Sequence, residues 1–191
     1  MPWLGKKAYD GIMAAYTAAS RKNGKKYIPL IKNATQLHVI EKGAFCGVVL
    51  DGSYNLTEAN YKTSLQNLVD RVLITDKDGN QIGVVEDTAA QQKYGVVQTV
   101  YKQEDGKDAQ TEAKALLQTL EQTGSVTGCP GDSRAVSGYA LIVQETTTGL
   151  FGKFYIESDT HTFTDGKHEM ALTLAFSNMM DEMEIENQSQ G

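Results

Sequence analysis

The chain has 191 residues, room for one large domain or two small ones, and its 40% hydrophobic and 8% aromatic content suits an ordinary globular protein. With 24 acidic against 18 basic residues, the formal net charge is −6, which argues against free-standing nucleic-acid binding, where phosphates demand a surplus of Lys and Arg. The two cysteines, Cys46 and Cys129, form no CxxC pattern, which excludes a zinc ribbon and a disulfide-dense scaffold and leaves them as small buried or half-buried hydrophobes.

In chain order, MPWLGKKAYDG lacks the apolar core of a signal peptide, and no apolar stretch approaches a membrane span. Synthesis in a cytoplasm is therefore expected. Ala8, Ile12, Ala15, Tyr16 and Ala19 recur at helical spacing, and Asn23-Gly24 supplies a C-terminal stop. The basic run from Arg21 to Lys26 decorates that helix end, where cations complement the dipole. Tyr27 to Ile31 and Leu37 to Ile40 read as short strands. Gly43 to Asn55, glycine-rich and polar, reads as a linker or domain edge.

From Leu56 onward strands dominate. Thr57 to Thr63 is predicted extended, and capping-box spacing at Thr63 and again at Thr88 predicts two short helical segments, the second ending at Gly95. RVLIT (71–75) and QIGVV (81–85) flank DKDGN, a hairpin signal, and VVQTVY (96–101) is a β-branched strand. Ala109, Ala113, Leu116, Leu117 and Leu120 form one apolar stripe, predicting the longest helix from Asp108 onward. Gly124 to Val126 and Tyr139 to Val143 are further strands around the loop GCPGDSR, and the acidic tail from Asp181 to Gly191 has little to bury.

Chemistry, if there is any, concentrates in FYIESDTHTFTDGKHEMALTLAF (154–176), where His161 and His168 lie among Glu157, Asp159, Asp165 and Glu169. The stretch reads as a hairpin with two possible loops. A two-residue Asp165-Gly166 loop sets Asp159 opposite Leu172 and Glu157 opposite Leu174, mixing charge into an apolar face. A three-residue loop shifts the register so that Ile156 faces Leu174 and Phe154 faces Phe176. It separates the faces and is the expected arrangement. In it His161 opposes Glu169 beside Asp159, while His168 falls on the other face. A metal site needs three or four convergent ligands at about 2.0–2.3 Å, and one exposed hairpin face offers a pair and a flank. A cross-strand His–carboxylate pair accounts for the cluster, and no metal, cofactor or catalytic residue is assigned.

A second candidate is Gly131-Asp132-Ser133 with Asp165-Gly166-Lys167-His168, similar to the GDS and DxxH blocks of an esterase family. Those esterases are α/β proteins with long βα units between the blocks. Here the intervening residues are strand-like, and Asp165-Gly166 is already required by the turn.

The residues also carry a family resemblance. GDSR (131–134), SGYALIVQETTTGLFGKFYIESDTHTFTDGKHEMALTLAF (137–176) and NMMDE (178–182) resemble the C-terminal signature of XkdQ/YqbQ-like tail proteins of prophages and contractile phage-like particles, related to baseplate hub proteins. SLQNLVDRVLITDKDGNQIGVVEDTAAQQKYGVVQTVYKQEDGKDAQTEAKALL (64–117) is similar to that family too, and 6–43 is a looser match. The resemblance implies an α+β, mainly β chain. It has a small, possibly incomplete helix-and-sheet domain over 1–43, an antiparallel β-barrel-like hub domain with packed helices over 54–180, and a flexible acidic tail over 181–191. It further implies the C-terminal portion of a longer structural subunit in a virion tail. That subunit works as a homo-trimer joining tail tube to spike, with neither nucleic acid nor membrane as partner. The competing function is a tail-associated cell-wall hydrolase or esterase, resting on Asp159, His161 and Glu169 or on Ser133 and His168.

Overall fold

A computed structural model describes residues 7–183, and the expectations for 1–6 and 184–191 lie outside the described residues. By compactness the chain divides into two units, Met1–Tyr61 with Thr123–Gly191, and Lys62–Gln122.

The larger unit begins with helix α1 (Ala8–Asn23), closed by a left-handed Gly24 at φ +73° whose N–H reaches the Ser20 carbonyl. Its buried face is Met13, Ala14, Thr17 and Ser20, rotated from the predicted stripe, and Ala8 and Ala15 are exposed. Thr17 explains the rotation, because its hydroxyl donates to the Met13 carbonyl and accepts from the Met183 N–H. That contact also ties down the start of the acidic tail, where Asp181 accepts from the Tyr9 hydroxyl and Glu182 pairs with Lys26. Within the same basic run, Lys25 pairs with Glu41.

Strands β1 (Tyr27–Lys32) and β2 (Gln36–Glu41) form an antiparallel hairpin turned at Asn33 and Ala34, both at positive φ. The expected linker over Gly43 to Asn55 is instead strand β3 (Phe45–Asp51), with Val48 and Leu50 buried. A strand accommodates these glycines because Gly47, at φ +83°, falls at the register irregularity between Phe45 and Val49, next to the apolar alternation Val48/Leu50. Strand β3 edges a six-stranded sheet that also contains β4 (Glu58–Ser64), β8 (Glu121–Pro130), β9 (Ala140–Gln144), β10 (Phe151–Thr164) and β11 (Lys167–Ala175), in the order β3-β9-β10-β11-β8-β4. The pairing of β3 with β9 is parallel, and the pairings along β9–β10–β11–β8 are antiparallel. The sheet is open, with β3 and β4 at its ends. No closed barrel forms among the described residues, so what stands of the expected class is a mainly β chain with helices. One face carries the core, in which Leu141, Val143, Leu150, Ile156 and Leu174 are wholly buried. Phe154 meets Phe176 edge-on at 5.1 Å.

In the smaller unit, β5 (Arg71–Thr75) pairs antiparallel with β6 (Gln81–Glu86) and parallel with β7 (Gln98–Lys102). Helix α2 (Thr88–Tyr94) connects β6 to β7. Its N-cap is Asp87, one residue before the predicted threonine. Helix α3 (Ala109–Ala115), capped by Asp108, is shorter than predicted. It buries Ala113 against Val72 and Ile74, with Leu117 half-buried beside them, and leaves Leu116 exposed. The longest helix is α1, because the chain beyond Gln118 is needed for β8. At the predicted Thr63 cap the chain makes a turn, with Ser64 Oγ accepting from the Gln66 N–H, and no helix.

Candidate functional site

The β10–β11 hairpin turns through Asp165 and Gly166 at φ +51° and +74°, the two left-handed residues of a tight turn. The two-residue loop is therefore the one adopted. Near the tip Phe163 faces His168, His161 faces Met170 and Asp159 faces Leu172. Between Ser158 and Ile156 a β-bulge shifts the register by one residue, so Ile156 faces Leu174 as expected. Each candidate register thus holds in half of the hairpin. The objection to charge on the apolar face is met by hydrogen bonding: the segment 131–137 lies over the tip and supplies partners.

Those partners form a connected set. Asp132 accepts from Arg134 through its backbone N–H (3.0 Å), Nε (2.9 Å) and Nη2 (2.6 Å), which fixes a tight turn and presents the buried Ala135. The Ala135 carbonyl lies 3.1 Å from His161 Nε2. His161 Nδ1 is 2.8 Å from His168 Nε2, and Phe163 stacks on the His168 ring at 4.0 Å. Asp159 accepts the Ser137 N–H at 2.6 Å and reaches within 3.6 Å of His161 Nε2. The Ser137 hydroxyl donates to the carbonyl of Glu157, the residue at the bulge. His161 and His168 therefore share one face, correcting the expectation that they lie on opposite faces. Glu169 is exposed, and His161 pairs across the strand with Met170.

A carbonyl only accepts, so His161 Nε2 carries a proton, and in the neutral ring its Nδ1 accepts from His168 Nε2–H. The result is a directed chain, His168 to His161 to Ala135. Two clefts lie beside this set of residues. The larger, about 670 Å³, has Leu30, Ile31, Phe45 and Tyr139 as apolar walls with Arg134 and Asp159 among its polar groups. The smaller, about 400 Å³, is bordered by Tyr54, Thr57, Lys167 and His168.

The esterase arrangement is not assembled. Ser133 is exposed and has no hydrogen bond to His168 among the described residues, and Asp165 is consumed by the turn. No group of three His, Cys, Asp or Glu side chains that could hold a metal ion occurs among the described residues. Cys129 is buried, which pushes its thiol pKa up and makes it a poor nucleophile. Sequence reasoning missed Ser137, the Ala135 carbonyl and the stacking of Phe163 on His168. The only available signal was Asp132-Ser133-Arg134, where an acid two residues before an arginine suits a side-chain-stapled turn.

Two predictions arise here. Gly131 donates its N–H to the His168 carbonyl, and a β-carbon at Gly131 would sit 2.1 Å from His168 Cδ2. Gly131→Ala is expected to destabilise the protein by about 1–3 kcal/mol in chemical denaturation. His168→Ala in the same chain should recover part of that loss, whereas additive losses would show that the clash is relieved elsewhere. Asp132, held to about 2 by Arg134 from an ordinary 3.8, supplies stability that is present above its unfolded pKa and lost as pH falls through the folded one. The pair is largely solvated, so the effect is small. Arg134→Ala should flatten the stability profile between about pH 4 and pH 2 and leave neutral pH nearly unchanged.

The YQBQ-like family model matches residues 3–175, and the chain belongs to that family. The phage-like element PBSX protein XkdQ of Bacillus subtilis (strain 168) is 26% identical over 145 residues, 70% of this chain and 44% of that protein. Among solved structures, the 43 kDa tail protein of prophage MuSo2 from Shewanella oneidensis has a TM-score of 0.55 at 14% identity, covering 78% of this chain and 50% of that one. The tail protein from Neisseria meningitidis MC58 has a TM-score of 0.50 at 14% identity, covering 85% and 54%. The chain spans about half the length of these relatives or less.

Proposed function

We propose that this protein is a structural subunit of a phage-like contractile tail, a baseplate hub component that joins tail tube to spike and assembles as a homo-trimer. The observation that carries this reading is the family match over residues 3–175. It is supported by a curated relative named for a phage-like element and by a fold shared with two tail proteins. The open sheet agrees with it, since β3 and β4 end the sheet and β3 exposes Phe45 and Val49. Such edges invite a neighbouring strand, and a neighbour of that kind would complete the barrel-like domain of a hub. Among the described residues no helix is long and apolar enough to cross a membrane. The site region has no catalytic role in this reading. His161 and His168 serve the architecture of the hairpin.

The test uses the native-length gene product, measured by light scattering and by co-purification with the tube and spike proteins encoded beside it. A trimer that captures either partner is expected, and a strict monomer that binds neither would overturn the proposal. Ester or peptidoglycan hydrolysis abolished by Ser133→Ala or His161→Ala would favour the hydrolase instead.

A further inference from the structure

We propose that the His161–His168 pair is a proton-operated latch between the 131–137 segment and the β10–β11 hairpin, closed while the pair holds at most one extra proton and open when it holds two. The inference rests on hydrogen-bond direction and does not depend on the hub assignment.

In the neutral pair, His168 Nε2–H donates to His161 Nδ1 and His161 Nε2–H donates to Ala135. The nitrogen left over is His168 Nδ1. A first added proton placed there breaks none of these bonds. It makes His168 cationic, stacked on Phe163 and within the field of Asp132. The His168–His161 bond then becomes charge-assisted. A second proton must go to His161 Nδ1, where it meets the His168 N–H across 2.8 Å. Two donors face each other, and two cationic rings lie with centroids 5.0 Å apart on half-buried side chains. The bond is lost and like charges replace it.

The charged groups around the pair do not remove this conflict. On β10, Asp159 Oδ2 is 3.6 Å from His161 Nε2 and eases positive charge on that ring, but it faces Nε2 and cannot accept the Nδ1 proton that meets His168. Asp132 is engaged by Arg134 through both oxygens. On β11, Lys167 and Glu169 flank His168 and alternate to the other face. Lys32 borders the larger cleft together with Asp159 and adds positive charge. When the rings separate, the Ala135 link moves with His161, and the strain falls on the Gly131–His168 and Ser137–Asp159 bonds that also hold the 131–137 segment to the hairpin. Asp159 borders one cleft and His168 the other, so a single event alters the walls of both.

The experiment records histidine ring ¹⁵N spectra and amide exchange on the full chain from about pH 8 to about pH 4. At the first protonation step of the pair, His168 should be the cationic ring and His161 a neutral Nε2–H tautomer, with Gly131 and Ser137 amides still protected. Further acid should protonate His161 and lower both protection factors at least about tenfold. His168→Gln keeps a donor that cannot gain charge, and it should hold protection into acid. Three results would overturn the latch: both rings becoming cationic in one step, protection unchanged after His161 is charged, or His168→Gln losing protection as the unmodified chain does.

Discussion

Truncating Leu174 to alanine is expected to destabilise the larger unit by about 2–5 kcal/mol, read as a lowered urea midpoint at unchanged slope. Leu174 is wholly buried and sits where three strands meet, facing Ile156 on β10 and Gly124 on β8. The glycine makes the loss severe. Gly124 has no side chain to collapse into the void, and the space above it is already taken by Leu150, whose Cδ2 would lie 3.2 Å from an added β-carbon. Little can relax, so both the transfer and the cavity contributions should be felt. A loss below about 1 kcal/mol would mean that this part of the sheet repacks freely.

Asp70→Ala is expected to have a comparable effect in the smaller unit, about 1–3 kcal/mol. Asp70 is fully buried, and its Oδ1 accepts the Val97 N–H at 2.8 Å. Its own N–H donates to the Val97 carbonyl, and its carbonyl accepts from the Asp87 N–H and Gln91 Nε2. One side chain therefore fixes the start of β7 against β5, just after α2. Alanine would leave the Val97 N–H buried without its acceptor. Asp70→Asn retains that acceptor, so it should be clearly milder. Equal losses in the two variants would shift the explanation from the hydrogen bond to the carboxylate charge. Amide exchange at Val97 distinguishes the two.

Much of the fold was legible because local chemistry and tertiary packing agreed. The helix closed by Gly24, the hairpin through Asp78-Gly79 and the strands RVLIT and VVQTVY carry their own periodicity and stops. The misreadings share a cause, which is that burial is decided by partners far away in sequence. The Gly43–Asn55 region looked like a linker because its strand character rests on two residues, Val48 and Leu50, that acquire meaning only against β9. The leucine stripe after Asp108 promised a long helix, yet the chain leaves the helix after Ala115 and enters β8. At the site, composition showed that residues 154–176 form a hairpin. It could not show a bulge at Glu157 whose carbonyl is satisfied by Ser137, twenty residues upstream. With the bulge unseen, a single register had to be chosen for the whole hairpin, and the two histidines were separated. The family resemblance suffered no such limit, because it matches residues in order and needs no register.

The bulge makes the two halves of β10 independent in phase. Below it, Ile156 and Leu174 lock the strand to the core, and above it the tip keeps a count of its own. A one-residue insertion or deletion beyond Glu157 would change which side chains meet the 131–137 segment and leave the packed base undisturbed. The chemistry that meets the 131–137 segment is therefore set separately from the packing that holds the sheet, and either can be changed without disturbing the other.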